Sequence, residues 1–234
     1  MTQRTITHAL RLAAFLLAAC AAGAHAEDFG PANEIRVGAY FVHNNTKADD
    51  LSGPFTPAGI NIRVGDSTTP YLAYLRNLDT HWTLELAGGV PPTVKTYGKG
   101  PDKVGSVPFN GQEVATAKWF SPTLLIDYKF MEPTSALRPY VGIGVNYTRF
   151  YDLRSTPAGD GANGGPTRVS LRRSIGPAGT IGLSYQLTRE IDIVASYSLA
   201  RVNSRYRSDT AGDIRTTSIR FNPQAAIVAV GYSF

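Results

Sequence analysis

Residues 120–130, FSPTLLIDYKF, alternate strictly: Phe120, Pro122, Leu124, Ile126, Tyr128 and Phe130 share one parity, and the opposite parity becomes charged at Asp127 and Lys129. Period-two alternation of this length predicts a β-strand with one apolar face. Eight such segments occur, at about 34–43, 69–77, 82–90, 118–130, 138–150, 174–187, 191–202 and 220–234, and no amphipathic helix of three turns interrupts them. The connections alternate in length. Residues 78–81, 131–137 and 188–190 are short, whereas 44–68, 91–117, 151–173 and 203–219 are long and rich in Gly, Pro and Asp.

Which face meets water decides the architecture. In 191–202 the apolar parity is Ile191, Ile193, Ala195, Tyr197 and Leu199, and its opposite is small or polar; 138–150 repeats the pattern with Val141, Ile143, Val145 and Tyr147 against Gly142, Gly144 and Asn146. A soluble sandwich would place the apolar parity inside. An eight-stranded barrel in lipid inverts this, because its interior is only about wide enough for side chains and its outer wall touches acyl chains. Strands of nine to fifteen residues suit a tilted crossing, and closure leaves no unpaired edge in the hydrocarbon. The chain ends AAIVAVGYSF, an alternating strand with a terminal aromatic, as closing strands of such barrels commonly do. The expected fold class is therefore all-β, an eight-stranded antiparallel transmembrane β-barrel with short periplasmic turns and long extracellular loops.

Composition refines the picture at the N-terminus. Arg4 and Arg11 precede an apolar run to Gly23, followed by Ala24-His25-Ala26, the layout of a secretory signal peptide over 1–26 with the barrel over 27–234. Leu17-Ala18-Ala19-Cys20 offers a competing lipoprotein processing site. Cleavage after Ala26 removes the only cysteine and leaves 21 basic against 18 acidic residues. Export to a Gram-negative cell outer membrane sets the expected partners: outer-membrane lipid and lipopolysaccharide, the barrel-assembly machinery during insertion, and no nucleic acid.

The stretch RPYVGIGVNYTRFYD (138–152), with SPTLLIDYKF (121–130), LELAGGVPP (84–92), NPQAAIVAVGYSF (222–234) and IRVGAYFV (35–42), resembles the OmpW family of outer-membrane barrels, in consistent order along the mature chain. The resemblance implies a narrow channel with an apolar lumen that passes small hydrophobic molecules, and for some members a receptor role for bacteriocins. Family members narrow the lumen with a Leu on strand three and a Trp near the start of strand six; the matching positions here are Ala87 and Ile175, so that constriction is not carried over intact.

Parity and strand direction give each residue a height. Arg36, Glu85, Asp127, Lys129 and Asp192 all fall inward at the periplasmic end, an ionic floor. Above it Tyr40, Ala87, Ile227 and their small neighbours line an apolar cup, and Leu72 and Ile175 complete the expected path of hydrophobic solutes. Strand two is apolar on both parities, so its faces stay unassigned by pattern alone. Pro122, Pro177 and Pro223 lie near the outer ends of descending strands, where a missing N–H interrupts pairing and would give a lateral opening. Arg154, Arg172, Arg173, Arg205 and Arg207 in the outer loops are candidates for lipopolysaccharide phosphates. The alternatives are a non-conducting structural or surface-receptor barrel for bacteriocin or phage docking and a lipid-modifying enzyme built on His43. A lone His at a strand end argues for no catalytic role. No mature cysteine and no His pair argue against a metal, and no cofactor motif is present.

Overall fold

The computed structural model describes residues 31–234. The signal-peptide reading and the Cys20 alternative lie outside the described residues. The strands in chain order are β1 (Asn33–Asn44), β2 (Lys47–Ala48), β3 (Asn61–Val64), β4 (Ser67–Asn77), β5 (Trp82–Gly89), β6 (Thr93–Lys99), β7 (Lys103–Val104), β8 (Val107–Pro108), β9 (Glu113–Phe120), β10 (Thr123–Lys129) and β11 (Leu137–Ser155). A short helix α1 (Pro157–Asn163) follows, then β12 (Thr167–Leu171), β13 (Ser174–Gln186), β14 (Ile191–Ala200), β15 (Asn203–Thr210), β16 (Asp213–Arg220) and β17 (Pro223–Ser233).

Eight of these close a ring of antiparallel pairs: β1–β4–β5–β10–β11–β13–β14–β17 and back to β1. Closure pairs Glu34 with Ser233 and continues to Asn44 with Pro223, so the C-terminal strand seals the wall. The outer surface carries the apolar parity. Ile143 is 72% exposed, and Val37, Leu86, Val145, Ile181, Val228 and Val230 are all exposed. Arg36 and Asp127, by contrast, are each 1% exposed. That inversion is what a lipid solvent demands. At the end bearing the termini and short turns, Trp82, Tyr128 and Phe130 pack edge to face at 5.0 and 5.1 Å, and Tyr232 stacks on Phe234 at 6.1 Å. They form an interfacial aromatic belt.

Two expectations change. The segment 118–130 is not one strand. Pro122 has no N–H to give, and the chain breaks at Ser121-Pro122 into β9 and β10. The long loops also carry strands that the alternation pattern does not mark. β9 leaves the barrel to pair with β6 and with the upper part of β11, and β6 pairs with β3. β12, β15, β16 and β2 make a second, four-stranded sheet. The β15–β16 hairpin turns on Ala211-Gly212, both at positive φ (52° and 99°), as a tight two-residue hairpin requires. β11 runs 19 residues, roughly 60 Å of strand and about twice the hydrocarbon thickness. It serves both the membrane wall and the outer cap. The cap has its own core, in which Trp119, Phe150 and Phe221 meet at 5.1–6.0 Å among Ile60, Ile62, Val94 and Ile219.

Candidate functional site

The interior of the barrel divides by height. At the periplasmic end Arg36 is ion-paired to Glu34 through Nε, lies 3.5 Å from Glu85 through Nη1, and reaches the Tyr140 hydroxyl at 3.4 Å. Tyr71 donates to Glu85 at 2.8 Å. Lys129 Nζ reaches Glu34 at 3.5 Å and Asn77 at 3.1 Å. Asp192 accepts from Ser184. All five residues assigned to the floor from sequence, Arg36, Glu85, Asp127, Lys129 and Asp192, are buried at this level. Glu34 is the member that sequence reasoning left out, although it shares the parity of Arg36. The cluster holds four carboxylates against two cations, and neither oxygen of Asp127 has a hydrogen-bond partner among the described residues.

Above the floor is a narrow cavity of about 60 Å³. Its wall includes Tyr40, Val42, Tyr71, Ala87, Leu125 and Ile227. Tyr40, Ala87 and Ile227 are thus where the sequence placed them. Leu72 and Ile175 are not. They are 59% and 71% exposed on the outer wall, because Tyr71, Ala73 and Leu75 take the inner face of β4 and no bulge interrupts β13 between Ile175 and Ala178 to reverse Ile175. The cup is also roofed. Trp119, Val42, Val202 and Ala225 belong both to the cavity wall and to the outer hydrophobic cluster. A second cavity of about 30 Å³ lies within the cap, between Ile60, Ile62 and Phe109 and the polar groups of Thr56, Asn163, Tyr206 and Arg215. Burial pushes the Tyr206 phenol up to about 12.

The three prolines separate by environment. Pro177 sits in β13 in unbroken register with Val145, and its carbonyl accepts from the Arg201 N–H at 3.0 Å. Pro223 opens β17 opposite Asn44. Each stands at the end of a ladder: β13–β14 pairing stops at Ala178–Ala200 beside Pro177, β14–β17 pairing stops at Leu199–Gln224 beside Pro223, and β10–β5 pairing stops at Thr123–Ala87 beside Pro122. β10 meets β5 from Tyr128 opposite Trp82 up to Thr123 opposite Ala87 and no further. Gly88 and Gly89 still pair with β4 but face no β10 residue. On its other side the break is patched: Asn146 Nδ2 donates to Thr123 Oγ1 at 2.8 Å and to Ser121 Oγ at 3.0 Å.

Of the five outer arginines, Arg172, Arg173 and Arg205 share one open groove with Arg220. Arg207 lies further along the same strand and pairs with Asp209 at 3.3 Å. Arg154 sits on β11 paired to Asp152 at 2.8 Å, on the β6–β9–β11 extension and outside that groove. His43 Nδ1 lies 3.0 Å from Asp66 Oδ2, and no serine is bonded to it among the described residues. Burial would raise the Asp66 carboxyl, but the bonds from His43 and the Asn44 N–H, with the charges of His43 and Arg63, together hold it below the ordinary carboxylate range.

A closed antiparallel barrel with an apolar outer wall, enclosed charges and an aromatic belt is an integral β-barrel of the outer membrane of a Gram-negative bacterium. Residues 33–234 match the model of the OmpW family, and the chain belongs to that family. Outer membrane protein W of Vibrio cholerae serotype O1 is 33% identical over 122 residues, covering 52% of this chain and 55% of that protein; the chain spans about half the length of this relative. Outer membrane protein W of Salmonella typhimurium is 28% identical over 204 residues, covering 84% of this chain and 92% of that protein. The crystal structure of the outer membrane protein OprG from Pseudomonas aeruginosa shares the fold with a TM-score of 0.77 at 24% identity, covering 88% of this chain and 96% of that one.

Proposed function

We propose that this barrel is a narrow passive carrier of small hydrophobic molecules across the outer face of the outer membrane, with release sideways into the bilayer. The observation that carries the reading is the vertical order of the interior. A largely apolar cavity in the upper barrel lies directly above a buried ionic cluster, and a separate small cavity lies in the cap that roofs it. An apolar solute gains by leaving water for the upper levels. Going further down would require it to separate buried ion pairs, which costs several kcal/mol. Gly88 and Gly89, which pair with β4 but face no β10 residue, stand beside Pro122 at the height of the cavity, and the side exit is read there.

The test is influx of a hydrophobic solute into liposomes with and without the refolded protein, measured alongside ion conductance. Influx without appreciable conductance is the expected result. Absence of both would favour the second reading, a surface-receptor barrel, which draws support from the folded cap. Deleting α1 and the β15–β16 hairpin would then abolish docking of a bacteriocin or phage while leaving the barrel folded.

A further inference from the structure

We infer that the outward face of the β12–β15–β16–β2 sheet is a binding site for the phosphate groups of outer-leaflet lipopolysaccharide. Alternation along β15 buries Ser204, Tyr206 and Ser208 against the cap and turns Asn203, Arg205 and Arg207 outward. The Arg172 N–H bonds the Arg205 carbonyl at 3.3 Å, which holds Arg172 and Arg173 beside Arg205. Arg220 ends β16 with Asn203 opposite on one side and Lys47 on the other. The four guanidinium-bearing residues line a single open groove whose only acid is Asp49. Asp49 stands 3.8 Å from Arg220, with both side chains more than half exposed. Arg172, Arg173 and Arg205 form no ion pair among the described residues.

Like charges gathered on neighbouring strands destabilise a sheet, and a bound anion relieves that repulsion. Guanidinium forks match phosphate oxygens in bidentate fashion. Height identifies the anion. Arg173 lies two residues beyond Ile175, an outermost lipid-facing side chain of β13, and so about 7 Å further along the strand. The groove thus continues the apolar wall upward to the level of phosphorylated headgroups. A lipid whose acyl chains lie against Ile175 and Leu199 would present its phosphates there. This inference stands independently of solute passage.

The test uses the refolded full-length chain in detergent micelles. Binding of lipid A, of dephosphorylated lipid A and of inorganic phosphate is measured for the wild type, for R172Q/R173Q/R205Q/R220Q, for R205Q alone and for the control R154Q, which lies on β11 outside this sheet. We expect the quadruple variant to bind lipid A at least tenfold more weakly and R205Q a few-fold more weakly. The control should stay within twofold, and dephosphorylated lipid should bind wild type no better than the quadruple variant binds lipid A. Unchanged affinity in a quadruple variant that keeps its heat-modifiable gel mobility would overturn the site. If that variant does not fold, unchanged affinity in R205Q does so. Inorganic phosphate binding as tightly as lipid A would overturn the lipid as its source.

Discussion

Gly142 stands directly opposite Asp127 across the β10–β11 pair, and a Cβ placed on it would overlap the Asp127 carboxylate. Gly231 stands in the same relation to Asp192 across β14–β17. The two floor aspartates each occupy the space of a missing side chain on the neighbouring strand. A barrel of eight strands has little interior volume, and these two carboxylates fill the space that the glycines leave. G142A is therefore expected to destabilise the barrel by about 1–3 kcal/mol through overpacking. Urea unfolding in lipid vesicles checks this, and the loss should shrink when Asp127 is also replaced by Ala, because the two effects share one contact.

Arg36 neutralises Glu34 and Glu85 from between them. Replacing it with Met leaves buried Glu85 without a cation and Glu34 with Lys129 alone, an expected cost of about 3–5 kcal/mol. The combined variant R36M/E34Q/E85Q should recover most of that loss in the same unfolding assay. No recovery would mean that shape rather than charge holds the floor.

Ala87 faces the cavity, whereas Ile175 faces lipid. A87W should fill the narrow space and lower hydrophobic-solute influx at least several-fold with the fold retained. I175A and L72A should leave influx within twofold.

Phe221 packs at 5.1 Å on Phe150 and at 5.8 Å on Trp119 in the cap. F221A should cost the cap about 3–5 kcal/mol. Limited proteolysis should then cut within 91–117 or 201–222 while the membrane-embedded strands remain protected. Loss of barrel mobility on gels would instead show the two parts to be one cooperative unit.

Asp66 accepts from the Asn44 N–H at 3.0 Å, and its carboxyl is held below its ordinary range despite the opposing effect of burial. Stabilisation from a lowered carboxyl is present above the unfolded value of about 3.9 and is lost as pH falls through the folded value. The Asn44 amide resonance should titrate with a midpoint below about 3.9, and D66N should remove that titration.

Parity made most of the wall legible in the sequence. Every second side chain of 120–130, 138–150 and 191–202 has one environment, and charges on the inward parity had to be enclosed. Strand two was opaque for the same reason: Tyr71, Leu72, Ala73, Tyr74 and Leu75 are apolar on both parities, and only pairing of Ala73 with Arg36 and Tyr71 with Gly38 fixes its faces. Glu34 was readable from Arg36 two residues on. The cap strands were missed because SRYRSDT and DIRTTSIR alternate polar residues with only an occasional Tyr or Ile, and their burial depends on distant partners. The grouping of Arg172, Arg173, Arg205 and Arg220 is a tertiary fact, drawn from three separate segments.

The placement of the ionic cluster bears on how this chain enters its bilayer. Lys129, Arg36 and their acids stay at the end that remains in the periplasm, so none of them has to traverse acyl chains. The cap does. Arg172, Arg173, Arg205 and Arg220 must be translocated, and each exposed to hydrocarbon at mid-depth would cost about 2–4 kcal/mol. Insertion therefore needs a sheltered route for the cap hairpins, while the charged bottom of the barrel stays on the side from which it starts.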